Sequence, residues 1–246
     1  MKQHIDSAYL PFIVDHDPRC PPMGRVVRAE ITALEDGEHA IEAEVEVFEP
    51  GDKLVFDEGR GTRIRQLPPG EIVLSIDRTF SQPEFQVPIA AMSTIFGTTP
   101  VYEVKKALEP IAVLGIGLGA VAVGKFAGAF FSKLGSNAAD ALSAHLKEAF
   151  RWSRPDQVRL LRVEFDFVNE TRQCRAEIIV TSPSDADIDG LLREGLAQID
   201  RLLPMYVTSN VTRYVFEYSS GKSVLKFAER SDGVPVFPAS DDESEA

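Results

Sequence analysis

Residues 110–150, PIAVLGIGLGAVAVGKFAGAFFSKLGSNAADALSAHLKEAF, divide the chain into two halves that both have the sequence pattern of strands. No side chain in residues 111–124 is polar or charged, Lys125 interrupts, and the apolar run continues to Phe131. About 20 apolar residues are enough to cross a bilayer as a helix. We therefore predict a glycine-rich apolar helix over residues 111–131, which either enters a membrane or is buried between the two halves as a pair of short helices.

The glycines of this run favour the membrane. Each glycine costs about 1 kcal/mol relative to alanine in a soluble helix, whereas membrane helices use small residues to pack closely. The opposing feature is a charged lysine, which costs about 2.5–3.5 kcal/mol at the bilayer centre. The predicted membrane and packing residues are Gly115, Gly119, Gly124, Lys125 and Gly128.

The N-terminal half contains the clearest strand pattern, residues 41–47, in which apolar residues alternate with glutamate. Period two places the apolar side chains on one face, which is expected to pack, and the glutamates on the other, in water. Residues 25–34 read as an antiparallel partner joined through Asp36-Gly37. Residues 81–99 read as a proline-rich linker, and a helix is expected to begin at Val101.

The C-terminal half reads as strand, strand, helix, strand, strand, with Ser184 capping the helix. The predicted fold class is α+β, with a β-rich domain (1–100), a helical apolar segment (101–154) and a ββαββ domain (155–237). That last domain is expected to be a mostly antiparallel sheet with one helix. Residues 238–246 read as a disordered acidic tail.

Composition narrows the functional classes. The net charge of −12 argues against nucleic-acid binding, which needs a basic surface. No histidines or cysteines have metal-ligand spacing, so neither a metal nor a cofactor is expected. The N-terminus has no apolar signal segment, and the expected location is cytoplasmic or at the cytoplasmic side of a membrane.

One segment suggests chemistry. The sequence VDHDPRCPPMGRV, with His16, Asp17 and Pro18, precedes the predicted hairpin, and Val73-Leu74-Ser75-Ile76 follows it. In this order the segment resembles the prohead (capsid-maturation) serine proteases of tailed phages, over residues 10–80 only. The resemblance implies Ser75 as nucleophile, His16 as general base and Asp17 as the group that orients the imidazole.

The leading functional prediction is a non-enzymatic partner-binding module that associates with a membrane through residues 111–131. The expected partners are membrane lipid and a protein partner or a second copy of the chain. The alternative is a serine peptidase of the prohead type, active or degenerate. A scaffold with a buried central segment is a third possibility.

Overall fold

A computed structural model describes residues 8–13, 17–33, 38–49, 61–62, 66–77, 83–97, 101–103, 109–120, 123–134, 136–151, 158–208 and 210–238. These residues form a mixed α+β fold with two sheets. The expected acidic tail falls outside the described residues, apart from Pro238.

Among the described residues, the larger sheet has eight strands: β5 (Ile72–Asp77), β6 (Val101–Glu103), β7 (Ile111–Gly119), β8 (Leu160–Asn169), β9 (Arg172–Thr181), β10 (Val211–Ser219), β11 (Lys222–Arg230) and β12 (Pro235–Val236). They lie in the order β12-β11-β10-β9-β8-β7-β5-β6. From β11 to β6, antiparallel and parallel pairs alternate, so that β8–β9 is antiparallel and β7–β8 parallel, whereas β12 pairs antiparallel with β11.

The predicted apolar helix over residues 111–131 is wrong. Its first part is β7, a buried strand between β5 and β8, and a helix begins only at Phe126. Among the described residues, no helix is long and apolar enough to cross a membrane, so the predictions of a transmembrane helix and of membrane association are corrected. The helix expected from Val101 is also wrong, because β6 begins there.

Burial on both faces explains the misreading of β7. All nine of its residues are buried, so its sequence is a continuous apolar run rather than an alternating one. Such a run cannot be distinguished from a buried helix by its periodicity. Its even-numbered side chains, such as Leu114 and Ile116, belong to the main core, and Ile111 and Val113 belong to a smaller cluster on the opposite face.

Helices cover one face of the larger sheet and form the main core with it. Their amphipathic stripes, not their propensities alone, hold them there, since an apolar stripe must be buried against another element. The helices are α1 (Pro83–Phe96), α2 (Phe126–Leu134), α3 (Ser136–Arg151), α4 (Asp185–Gly190) and α5 (Leu196–Tyr206), with a π-helical turn (Leu191–Gly195) joining α4 to α5.

The C-terminal elements follow the expected order of two strands, a helical segment and two strands. The Ser184 hydroxyl accepts a hydrogen bond from the backbone N–H of Asp187, which confirms the predicted cap. The expected domain layout is not confirmed, because β8 pairs with β7 and β7 with β5. One hydrogen-bonded sheet thus contains strands from all three predicted segments.

The smaller sheet consists of β1 (Ala8–Phe12), β2 (Gly24–Ala33), β3 (His39–Val47) and β4 (Gly61–Thr62). Its strands lie in the order β3-β2-β1-β4. The predicted antiparallel hairpin of residues 25–34 and 41–47 is confirmed as the β2–β3 pair. The turn at Asp36-Gly37 lies outside the described residues.

Candidate functional site

The smaller sheet has one apolar face and one charged face. Residues paired directly across an antiparallel ladder lie on the same face. The pairs Ile31–Ile41, Ala29–Ala43, Val26–Val45, Leu10–Val26 and Phe12–Gly24–Val47 therefore place their side chains together. We call this set the apolar face: Leu10, Phe12, Val26, Ala29, Ile31, Ile41, Ala43, Val45 and Val47.

Much of the apolar face is open to solvent. Ile41 is 56% exposed, Val47 51%, Ile31 44% and Phe12 41%. The expectation that the alternating strand packs its apolar side chains is thus wrong for β3, whose Ala43 is exposed as well. Ala29 is buried, however, and Leu10 and Val26 are half-buried, so the exposed part of this face consists of β3 with Phe12 and Ile31. Several exposed apolar side chains in a row are typical of an interaction site, whereas single ones are ordinary.

The charged face consists of Arg25, Arg28, Glu30, Glu42, Glu44 and Glu46. Its Arg25 end is turned toward the larger sheet. Arg25 is only 2% exposed, and its guanidinium donates to the carbonyl oxygen of Asp232 at 2.9 Å and to Glu46 at 2.6 Å. The same guanidinium lies 4.0 Å from the ring centroid of Tyr9. Because Arg25 and the apolar face are on opposite sides of β2, these contacts direct the apolar face away from the larger sheet.

The outer edge of β3 is the second feature of this surface. β3 is the end strand of its sheet, and within the described parts of the chain no other strand pairs with its outer edge. An edge strand presents a row of backbone N–H and C=O groups that can pair with another chain. Next to this edge, on the charged face of the β2–β3 hairpin, is an open depression of about 260 Å³. It is lined by Arg28, Glu30, Glu42, Ala43 and Glu44.

The sequence-predicted peptidase residues are not shown together. Ser75 is half-buried in β5, between Val101 of β6 and Val113 of β7. His16 lies outside the described residues. The His16–Ser75–Asp17 constellation, and the protease resemblance with it, stay predictions.

Asp17 is engaged by Arg19 instead. The Arg19 guanidinium donates to both Asp17 carboxylate oxygens, at 2.7 Å to Oδ2 and 2.9 Å to Oδ1. This hydrogen bonding holds the pKa of Asp17 below its usual value. The same guanidinium donates to Glu109 at 2.9 Å, so Asp17 is part of a surface ion-pair cluster.

The remaining predicted residues have structural surroundings. Gly124, with φ +88°, lies at the turn before α2, where an added Cβ would be 3.0 Å from the carbonyl oxygen of Asp200. Lys125 and Gly128 are exposed.

Gly115 and Gly119 of β7 lie under residues 66–70, which cross this strand. A Cβ atom added to Gly115 would lie 2.8 Å from Leu67, and one added to Gly119 would lie 3.0 Å from Pro69. The glycines therefore allow close approach of a second segment.

A buried ion-pair network lies on the face of the larger sheet opposite the main core. Arg213 donates to Glu177 at 2.7 Å and to Glu229 at 3.0 Å, and Arg162 lies 3.7 Å from Glu177. Burial alone would raise the pKa of Glu177, but the charges of Arg213 and Arg162 lower it to about 2. Burial raises the pKa of Glu164, which is opposite Glu177. The arginines here are matched by carboxylates, as in a structural network.

A groove of about 410 Å³ separates α3 from the α4–π turn. Its Lys147 is 2.5 Å from Asp189, which also accepts from Ser143 at 2.7 Å, and these hydrogen bonds lower the pKa of Asp189. Arg151 lies 3.5 Å from Asp185. These cations are already paired, so this groove is a weaker candidate than the smaller sheet.

Metal-ligand clusters and similarity to known proteins are two further sources of a functional assignment. Over the described ranges, no three histidine, cysteine, aspartate or glutamate side chains are grouped as metal ligands would be. Cys20 is exposed and Cys174 is buried, and both are free thiols. Comparison of the chain with protein-family models, curated proteins and solved structures finds no match.

Proposed function

We propose that this chain is a non-enzymatic protein-binding module that accepts an extended segment of a partner along the outer edge of β3. The observation that supports the proposal most is the exposure of β3. This nine-residue strand is at a sheet edge, and seven of its residues are exposed, with apolar ones on one face. In strand addition, backbone hydrogen bonds supply affinity and alternate side chains supply specificity.

The dimensions of the apolar face favour a segment over a second sheet. Nine residues span about 30 Å, and three strands about 14 Å, so the face covers at most about 430 Å². A stable interface buries about 800 Å² on each partner. Two copies stacked on this face alone would bury too little, whereas an added strand uses the edge and the face together.

Charge opposes pairing of β3 with β3 of a second copy. Glu42 and Glu44 are exposed on the same face of the strand. Antiparallel pairing of two copies centred on Ala43 would place Glu42 of each copy opposite Glu44 of the other, and like charges directly opposite are destabilising. The partner is therefore a different protein.

An uncharged nine-residue peptide that alternates valine and threonine tests the proposal. We expect it to bind, because its backbone pairs with β3 and its valines cover Ile41, Val45 and Val47. Its dissociation constant is measured by fluorescence anisotropy. Val45→Lys, which places a charge on the apolar face, should weaken binding at least tenfold.

The matched control is Val224→Lys, which places the same charge at a 55%-exposed valine of β11. It should leave the affinity unchanged. Equal weakening by Val45→Lys and Val224→Lys would overturn the assignment to the smaller sheet. Failure of this peptide, and of a peptide that alternates valine with lysine, to bind would overturn it as well.

A further inference from the structure

We infer that the partner segment of β3 is basic at alternate positions: lysine or arginine faces Glu42 and Glu44, and β-branched residues face Ile41, Ala43 and Val45. This inference rests on the proposed strand addition and assigns the chemistry of the partner. Period two in the added strand must match period two in β3, because successive side chains of both strands point to opposite faces.

The exposed part of the charged face, Arg28, Glu30, Glu42 and Glu44, has more negative than positive charges. Arg28 is opposite Glu44, and Glu30 is opposite Glu42. The Arg28 guanidinium, however, forms its ion pair with Glu30 of its own strand. Across the described part of the chain, neither Glu42 nor Glu44 has an ion pair, and these four side chains carry a net charge of −2.

Glu46 differs from the other two glutamates of β3. It is half-buried and paired with Arg25 at 2.6 Å. The unpaired negative charge is therefore confined to Glu42 and Glu44, at the part of the hairpin farther from Arg25. We expect two basic side chains of the partner, two residues apart, at this end of its segment.

Distance decides which charges the partner meets. A strand added to β3 lies about 4.8 Å from it, and opposite side chains have Cβ atoms about 4.5–5.5 Å apart. Arg28 and Glu30 are one strand farther away, and they offset each other. Among the described residues of β2 and β3, the nearest charges without an ion-pair partner are therefore Glu42 and Glu44, and the net charge of −12 on the whole chain has the same sign.

Three nine-residue peptides test the inference. They alternate valine with lysine, threonine or glutamate, and their dissociation constants for the full chain are measured by anisotropy at about 20 mM and 500 mM salt. At low salt we expect the lysine peptide to bind about tenfold more tightly than the threonine peptide, and the glutamate peptide least tightly. The preference should shrink at high salt, because exposed charges are screened.

The double variant Glu42→Gln with Glu44→Gln should abolish most of the preference for lysine while the threonine peptide binds as before. The matched control is Asp140→Asn with Glu148→Gln, which changes the net charge equally at two exposed positions of α3. The control should keep the preference.

The outcomes separate the two proposals. A preference for lysine that is lost only in the β3 double variant supports both. Equal binding of the lysine and threonine peptides, or a preference that persists in the β3 variant, overturns the basic partner and leaves strand addition standing. Failure of all three peptides to bind overturns strand addition, and the inference with it.

Discussion

A Cβ atom added to Gly117 would lie 2.0 Å from the carbonyl oxygen of Pro68. The backbone crosses β7 here: the Gly70 N–H donates to the Gly117 carbonyl, and the Gly117 N–H donates to the Glu71 carbonyl, both at 2.8 Å. The Leu67 N–H donates to the Asp166 carboxylate at 2.8 Å. Glycine is needed at this position because backbone, rather than a movable side chain, occupies the space.

Gly117→Ala should therefore destabilise the fold by about 1–3 kcal/mol or more, since the carbonyl of Pro68 must move. Gly128→Ala is the matched control: it is exposed in α2 with nothing within 4 Å of the added Cβ. It should stabilise the fold by up to about 1 kcal/mol through helix propensity. Urea unfolding measures both, and equal effects would contradict the described surroundings of the two glycines.

Glu177 gives a pH dependence with a defined sign. Its pKa is lowered from 4.5 to about 2, so the folded state favours the charged carboxylate more than the unfolded state does. The stability from this group is present above pH 4.5 and is lost as the pH falls toward 2.

Glu177→Gln should cost about 3 kcal/mol at pH 7, the free energy that corresponds to this lowering of the pKa, because Arg213 and Arg162 each lose one of two buried carboxylate partners and keep only Glu229 and Glu164. The difference in unfolding free energy between wild type and variant should shrink between pH 4.5 and 2. Denaturant titrations at several pH values measure it. A difference that stays constant over this range would show that the charge of Glu177 is not what stabilises the sheet.

At the scale of elements, β3 and β7 show what apolar periodicity can predict. The alternation in residues 41–47 indicates a strand whether or not its apolar face is covered. The β2–β3 hairpin was therefore predictable. Whether its apolar side chains are covered depends on the rest of the fold, which the alternation does not contain. The apolar run of β7 is continuous, so its periodicity is consistent with a strand and with a helix. Its glycines favoured the membrane helix, which is wrong.

The exposure of β3 predicts an unequal cost for the same substitution. Ile41→Ala should change the unfolding free energy by no more than about 0.5 kcal/mol, because the side chain is 56% exposed. Ile116→Ala, at a 1%-exposed position in β7, should cost about 2–5 kcal/mol. Denaturant unfolding of the two variants compares them. A large cost for Ile41→Ala would mean that the apolar face is covered.

Helix α1 was missed for a local reason. Pro83 and Pro88 made residues 81–99 look like a linker, yet Pro83 is the first residue of α1, where proline lacks only an N–H that has no partner anyway. The exposed apolar face was not predicted, for a non-local reason. The exposure of the apolar face follows from the contacts of Arg25 with Asp232, more than 200 residues away in the chain, and no sequence window contains both.

At the scale of the whole molecule, few contacts join the smaller sheet to the larger one among the described residues. Arg25 of β2 donates to the carbonyl oxygen of Asp232, which follows β11. Arg19, between β1 and β2, binds Glu109 and lies 3.4 Å from Thr181 of β9. The larger sheet has its own core between the strands and the helices. Local opening of the smaller sheet should therefore require less free energy than unfolding of β7–β10.

Arg25→Met should lower the free energy of local opening of the smaller sheet but not that of the larger one. The substitution removes the hydrogen bonds of a buried charge and keeps an apolar side chain of similar length. We expect amide exchange in β2 to accelerate about tenfold, as expected for the loss of about 1.4 kcal/mol. Exchange in β7 should be unchanged. Hydrogen-exchange mass spectrometry measures both regions, and equal acceleration in β7 would show that the two sheets open as one unit.

Strand addition at β3 is tested most directly by hydrogen exchange at its individual amides, measured by NMR with and without the valine–lysine peptide. The N–H groups of successive residues point to opposite edges of a strand, and one set is already bonded to β2. We predict that bound peptide slows exchange at every second amide of residues 39–47, those that point outward. Binding of the peptide with unchanged exchange throughout β3 would contradict the account.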